Sequence, residues 1–223
     1  GLGDVYKRQD MYHVDGLIHN NKVIVSHVSK YYKGCLEFQK NQPLASYMVD
    51  ESNALNITFK AQAEKVIDTL PSFPNGSFHA EFFLTDSGEI YFCEIGSRTG
   101  GAEVGNVIQN STNIHLNKES LYMQMYEDHA CTIQQESVER YSGFVLLPPQ
   151  NGVYKGIKKH LDYDWIVKFK NTAQKNKTYN DAQFSVDHII SVLIEGNNEQ
   201  ELISRINIVT DWYEKNVIWE QHH

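Results

Sequence analysis

The sequence predicts an α+β protein, built on an antiparallel sheet with flanking helices and followed by a smaller α+β unit. Two hairpins indicate this class. Residues 11–19 and 22–28 are rich in β-forming side chains and flank Asn20-Asn21, a pair that tolerates the left-handed backbone of a tight turn. A second hairpin is predicted over residues 78–95, around an Asp-Ser-Gly turn. The third observation is a change from alternating to helical spacing between the hairpins.

The remaining elements of the first two thirds follow from spacing and from helix-breaking residues. Apolar side chains recur at helical intervals from Ser52 until Pro71 ends the pattern. Residues 29–43 are polar and aromatic and predict a loop, and residues 44–49 predict a short strand. After the second hairpin, helices are expected near residues 103–109 and 118–127.

The last third of the chain predicts short strands and one closing helix. Strands are expected over residues 144–147, 165–169 and 187–194. The helix begins near Asn198, with Glu201 placed as in a capping box, and its apolar face runs to Val217.

These patterns divide the chain near residue 134. Residues 10–133 form the hairpin-and-helix unit, and residues 134–221 form the small α+β subdomain. Residues 1–9 show no clean periodicity, and we interpret them as a cloning or assembly scar.

Composition restricts the classes of function. The apolar fraction is 41%, which suits a globular protein with a real core, but no stretch approaches the ~20 apolar residues that span a membrane. The formal net charge of −8 does not suit a nucleic-acid partner. Three cysteines cannot all pair, so we expect reduced thiols and a cytoplasmic protein.

The second hairpin carries the most informative pattern. If its loop is symmetric about Ser87 and Gly88, Phe82 faces Cys93 and Glu81 faces Glu94 across the ladder. A bulge would shift this register by one residue. Two directly opposed carboxylates lie ~5 Å apart at Cβ and repel each other, so they either stay solvated or are neutralised by a cation. Mg²⁺ prefers such hard oxygen ligands together with substrate phosphates.

Anion-binding groups follow the hairpin directly. Arg98 offers a planar fork of donors that suits a carboxylate or a phosphate. The pair Gly100-Gly101 lets the backbone approach an anion and open a helix toward it. Taken alone, an arginine is more typical of a surface charge, and a Gly-Gly pair of a simple turn.

At these residues the chain resembles the ATP-grasp superfamily, in particular its carboxylate–amine ligases. The C-terminal lobe of that family carries a strand with Glu-Phe, a Gly turn, and then Glu-Ile-Asn-x-Arg; here Glu81-Phe82 and Glu94-Ile95-Gly96-Ser97-Arg98 stand in those places. The resemblance implies that Glu81 holds one Mg²⁺, that Glu94 bridges two, and that Arg98 meets the acyl phosphate or the substrate carboxylate.

The first strand extends the resemblance. Its sequence Tyr-His-Val-Asp-Gly, which contains His13 and Asp15, looks like the family segment that approaches the ribose or the phosphates of ATP. The resemblance therefore implies that His13 and Asp15 help to bind the nucleotide. The expected cofactors are ATP and Mg²⁺, and the expected partners are a small-molecule carboxylate and an amine, joined through an acyl phosphate into an amide or a peptide bond.

The sequence departs from the family pattern in three places. Gly96 replaces the usual asparagine, so one metal ligand is missing or comes from elsewhere. The segment Gly100-Gly101-Ala102 replaces the Val-Glu-His stretch of biotin carboxylases, which argues against bicarbonate chemistry. The family's phosphate-binding lysines and adenine hinge precede the region that matches His13. We therefore expect this chain to be the C-terminal part of a longer ligase, inactive by itself.

Two alternatives to a ligase remain open from the residues. The fold could serve as a non-catalytic, ATP-grasp-like binding module, which Gly96 favours. Alternatively, His13, Asp15 and His79 could form the two-histidine, one-carboxylate site of a mononuclear iron enzyme.

Overall fold

One antiparallel sheet of eight strands organises the protein. The computed structural model describes residues 9–33, 41–126, 128–133, 138 and 140–221. The strands are β1 (Asp10–His19), β2 (Lys22–Tyr32), β3 (Leu44–Met48), β4 (Asn75–Leu84), β5 (Ile90–Gly96), β6 (Tyr141–Leu147), β7 (Gly152–Ile157), β8 (Ile166–Asn171), β9 (Thr178–Tyr179), β10 (Ile190–Gly196) and β11 (Val217–Glu220). The strand order in the large sheet is β5-β4-β1-β2-β3-β6-β10-β8, and a second sheet has the order β11-β7-β9.

Helices cover both faces of the large sheet. They are α1 (Ala54–Thr69), α2 (Val104–Thr112), α3 (Leu116–Met125) and α4 (Glu199–Asn216). The face that carries Asp15, His79 and Glu81, called the site face below, is covered in part by α2 and α3. Helices α1 and α4 pack on the opposite face, where they close two further apolar clusters. The predicted α+β class with an antiparallel sheet and flanking helices is confirmed.

The first hairpin forms as predicted, and its second strand is longer than expected. Asn20 and Asn21 adopt positive φ values of 50° and 61°, as a tight two-residue turn requires. The loop predicted from residue 29 is wrong for its first four residues. Strand β2 continues to Tyr32 because residues 29–32 pair with β3. This extension places Tyr31 on the site face, opposite Ser46.

Helix boundaries follow the predicted signals. The side chain of Asn53 accepts a hydrogen bond from the Leu55 amide at the start of α1, and the helix ends before Pro71. The side chain of Asn198 likewise caps α4 by accepting from the Glu201 amide. The predicted apolar face of α4 is buried, but Val217 is wrong as a helix residue because it begins strand β11.

The large sheet runs across the predicted division near residue 134. Strand β3 pairs with β6, so strands from residues 10–133 and from residues 134–221 belong to one sheet. The division itself stays a prediction. The prediction for residues 1–8 and the segment 134–137 lie outside the described residues. Strands β7, β9 and β11 were not predicted. No helix in the described part of the chain is long and apolar enough to cross a membrane.

Candidate functional site

The β4–β5 hairpin brings two glutamates into direct opposition. Glu81 pairs with Glu94 across the ladder, as predicted. The predicted pairing of Phe82 with Cys93 is wrong, because a bulge follows Glu81 and Phe82 pairs with Phe92. The turn is also asymmetric, with the Thr85 amide bonded to the Glu89 carbonyl. The turn shifts the register by one residue and the bulge at Cys93 shifts it back.

Glu81 is largely buried, and one of its oxygens is fully engaged. Its side chain is 13% exposed. Oε1 accepts a hydrogen bond from the Tyr31 hydroxyl at 2.8 Å and another from His79 Nε2 at 3.2 Å. Burial alone would raise the pKa of Glu81, but the hydrogen bonds from His79 and Tyr31 outweigh it and lower the pKa. Glu81 is therefore held as a carboxylate with Oε2 as its less occupied oxygen.

Glu94 has the opposite environment. Its side chain is exposed on β5, an edge strand. Within the described residues, no hydrogen bond or salt bridge engages its carboxylate. The opposed pair thus combines one fixed carboxylate with one that has both oxygens available, and it presents two adjacent negative charges that attract a cation.

Asp15 lies at the centre of a buried hydrogen-bond network behind Glu81. His13 Nδ1 donates to Asp15 Oδ2 at 2.5 Å, and His79 Nδ1 donates to Asp15 Oδ1 at 2.8 Å. His13 Nε2 lies 2.8 Å from Ser46 Oγ. The network therefore runs from Ser46 through His13, Asp15 and His79 to Glu81.

The network stabilises opposite charges on Asp15 and His79. Burial alone would raise the pKa of Asp15, but the two adjacent histidines lower it well below its ordinary value. Burial alone would lower the pKa of His79, but Asp15 and Glu81 raise it to about 10. A histidine that donates through both ring nitrogens to two carboxylates is an imidazolium, because carboxylates only accept.

Gly100 closes this network from above. Its amide donates to Asp15 Oδ1 at 3.2 Å. A Cβ at this position would lie 2.6 Å from Asp15 Oδ1 and 2.8 Å from His79 Nδ1, closer than real contacts allow. Gly100 is therefore a glycine because the backbone must approach Asp15, whereas Gly101 has no atoms within 4 Å of such a Cβ. The predicted helix opening follows, since α2 begins at Val104.

Arg98 follows the end of strand β5, two residues after Gly96. Gly96 pairs with His79, so it shares the site face with Glu94. The Arg98 side chain lies over Gly96, with its Cγ 3.4 Å from the position of an added Cβ, and its Nη1 donates to the Thr99 carbonyl at 3.0 Å. Arg98 is exposed and offers further donors to an anion.

The geometry of His13, Asp15 and His79 fits a hydrogen-bond network better than an iron site. Ligand atoms of His13, Asp15 and His79 do come within 4.8 Å of one another. However, the separations of 2.5 and 2.8 Å are those of N–H···O hydrogen bonds, and Gly100 also donates to Asp15. The facing nitrogen and oxygen atoms of these three side chains are already joined by hydrogen bonds and are not available to a metal ion.

Sequence reasoning brought together most of the site but missed its supporting residues. Ser46 was not predicted to contact it, Tyr31 was placed in a loop, and His79 was considered only as an iron ligand. The signal for Tyr31 was the alternation of β2, which would have placed it in line with His27 and Ser29 had the strand been extended.

The fold is the one that ATP-grasp enzymes share, which confirms the resemblance. The structure of phosphoribosylglycinamide synthetase from Anaerococcus prevotii matches with a TM-score of 0.72 at 15% identity, over 95% of this chain and 53% of that one. The structure of L-amino acid ligase from Bacillus licheniformis matches with a TM-score of 0.70 at 15% identity, over 96% of this chain and 55% of that one.

One curated protein is similar to the chain in sequence. The L-arginine-specific L-amino acid ligase of Bacillus subtilis is 27% identical over 237 residues, which is 96% of this chain and 54% of that protein. No family model matches the chain. The chain spans about half the length of the relatives it matches.

Proposed function

We propose that this chain supplies the magnesium-binding half of the active site of an ATP-dependent carboxylate–amine ligase. The opposed pair of Glu81 and Glu94 carries the proposal. The names of the relatives support the reaction class, since two of them are L-amino acid ligases. A structural neighbour at 11% identity and a TM-score of 0.60, the biotin carboxylase domain of Hydrogenobacter thermophilus 2-oxoglutarate carboxylase, was solved with MgADP.

The donor set fits Mg²⁺. Glu94 has two available carboxylate oxygens and Glu81 has one, and both are hard ligands. As the resemblance implies, Glu94 would contact two ions and Glu81 would hold one. When bound, Mg²⁺ neutralises phosphate charge. Arg98 binds the acyl phosphate or the substrate carboxylate through its planar fork.

The proposed reaction has two steps. A substrate carboxylate oxygen attacks the γ-phosphorus of ATP, which forms an acyl phosphate and releases ADP. An amine then attacks the acyl carbon, which forms the amide bond and releases phosphate. The residues of this chain contribute position and charge rather than a nucleophile, as in other phosphoryl transfers.

His13 and Asp15 take an indirect role in this proposal. The resemblance assigns them to nucleotide binding, yet each is only 1% exposed, and their polar atoms bond to each other, to Ser46 and to His79. We therefore propose that they support the nucleotide site from beneath the sheet surface.

A non-catalytic binding module is the second candidate function. Gly96 favours it, because the site face lacks a side chain where the family pattern has a ligand. The ligase and the binding module are distinguished by assaying a polypeptide that joins this chain to the remaining half of the ligase fold. With ATP, Mg²⁺ and amino acids, a ligase releases ADP, and Glu94→Gln abolishes the release. ATP binding without ADP release would establish the module instead.

The metal site is tested on the 223-residue chain. Mn²⁺ serves as a paramagnetic probe, because carboxylate sites for Mg²⁺ accept it. We expect Glu94→Gln to weaken Mn²⁺ binding the most, and Glu81→Gln to weaken it by a smaller factor that is still at least about tenfold, since Glu94 offers two oxygens. Glu64→Gln, an exposed change on α1, is the matched control and should leave the Kd unchanged. Equal affinities for all four proteins would refute the site.

A further inference from the structure

The hydrogen bonds at Glu81 leave its two oxygens in different states. Oε1 accepts from both Tyr31 and His79, whose donor protons point at it. A cation that approached Oε1 would meet these protons. Oε2 carries no such donors among the described residues.

From this asymmetry we propose that Glu81 binds metal through Oε2 alone, and that Tyr31 and His79 are positioning residues that fix the carboxylate for this role. The inference rests on the proposed magnesium site. It gives both residues a role at the metal site, whereas the iron-site alternative involves only His79.

Asp15 fixes the orientation of the His79 ring. Asp15 Oδ1 accepts from His79 Nδ1 at 2.8 Å, which directs Nε2 at Glu81 Oε1. His13 and Gly100 hold Asp15 in turn.

The two ring nitrogens of His79 donate to different carboxylates, Nδ1 to Asp15 and Nε2 to Glu81. Suitable substitutions can therefore remove one of these hydrogen bonds and keep the other. The amide nitrogen of asparagine comes close to Nδ1 of histidine, and that of glutamine comes close to Nε2. His79→Asn therefore retains a donor to Asp15 and loses the donor to Glu81, and His79→Gln does the reverse. Tyr31→Phe removes only the hydroxyl that reaches Glu81.

We expect the two His79 variants to rank in opposite order for Mn²⁺ affinity and for thermal stability. Loss of a supporting hydrogen bond to a ligand weakens metal binding by about tenfold or more. Tyr31→Phe and His79→Asn should each raise the Mn²⁺ Kd by about tenfold, whereas His79→Gln should keep the affinity of the wild type and lose more Tm than His79→Asn. The Mn²⁺ electron paramagnetic resonance spectrum should broaden for Tyr31→Phe, as the carboxylate becomes mobile.

A double substitution tests whether Tyr31 acts through Glu81. In a Glu81→Ala background, Tyr31→Phe should change the Mn²⁺ Kd no further. A further loss in that background would show that Tyr31 acts in another way and would overturn the inference.

The outcomes also separate this inference from the proposed site. If Glu94→Gln weakens Mn²⁺ binding but Tyr31→Phe and His79→Asn do not, the magnesium site stands and the positioning role fails. If the wild type binds no Mn²⁺, or Glu94→Gln has no effect, the site itself fails. Tyr31→Phe leaves the Asp15 network intact, so the test remains decisive even if a His79 variant does not fold.

Discussion

At the residue scale, Gly100 is the position that the buried network constrains most closely. Its backbone lies against Asp15 and His79, and a Cβ would approach both within 3 Å. We expect Gly100→Ala to reduce the free energy of unfolding by about 1–3 kcal/mol, because overpacking forces the surrounding groups to shift. Urea denaturation measures the change.

Gly101→Ala is the matched control for that substitution. It lies next in the chain and a Cβ there meets no atom within 4 Å. It should leave the free energy of unfolding unchanged or raise it slightly, through the reduced entropy of the unfolded chain. Similar losses for both variants would mean that the turn, and not contact with Asp15, requires glycine.

Two histidines on the site face give stability opposite dependences on pH. The folded pKa of His79 is about 10, above the ordinary 6.5, so its contribution is complete below pH 6.5 and is lost as pH rises toward 10. Burial and the charge of Lys60 lower the pKa of His27 to about 4, and its Nε2 has no partner among the described residues. Protonation of His27 therefore destabilises the fold as pH falls from 6.5 to 4.

We expect different substitutions to remove the loss of stability at alkaline pH and the loss at acid pH. The stability lost by His79→Asn, measured by urea denaturation without metal, should be constant below pH 6.5 and shrink toward pH 10. His27→Gln should remove part of the acid-side loss of the wild type and leave the alkaline side unchanged. A pH-independent difference for His79→Asn would mean that His79 is neutral in the folded protein.

At the element scale, the β4–β5 hairpin shows both the reach and the limit of sequence reasoning. The opposition of Glu81 and Glu94 was predictable, although the assumed symmetric turn is wrong. The two glutamates still face each other because the turn and the bulge displace the register in opposite directions. Alternation places residues on a face, but a bulge depends on local backbone energies that no side-chain pattern reveals.

Strand β2 shows why the supporting residues were missed. Residues 29–32 were interpreted as loop together with the polar residues that follow them, although tyrosine is itself common in strands. Their polar character has a structural reason, since Ser29 lies beside the buried network and Tyr31 bonds to Glu81. Polar side chains at a site therefore obscured the strand that carries them. Strands β9 and β11 were missed because they span only two and four residues.

At the scale of the whole molecule, one sheet joins parts of the chain that composition separates. The change in character near residue 134 suggested two units, yet β3 pairs directly with β6. Sequence patterns report local periodicity, whereas strand order depends on pairings between residues about 100 apart. The α+β class and the resemblance could thus be predicted, and the continuity of the sheet could not.

The last prediction concerns what this chain binds by itself. We expect its affinity for MgATP to be in the millimolar range. The chain spans about half the length of its relatives, and the resemblance places the adenine hinge and the phosphate-binding lysines outside the part that matches this chain. The groups proposed here for phosphate are Arg98 and two carboxylates that act through Mg²⁺. Hydrogen bonds contribute about 1 kcal/mol each, and more with charged groups.

Three or four such contacts account for the expected difference in affinity. Each ~1.4 kcal/mol corresponds to a factor of ten, so their absence moves a micromolar site into the millimolar range. Isothermal titration calorimetry of the 223-residue chain with MgATP measures this directly. Glu94→Gln serves as the control, because it should remove even the weak binding if that binding depends on the paired carboxylates. Micromolar affinity for the wild-type chain would mean that the adenine site lies within these residues, and that the position of the adenine hinge implied by the resemblance is wrong.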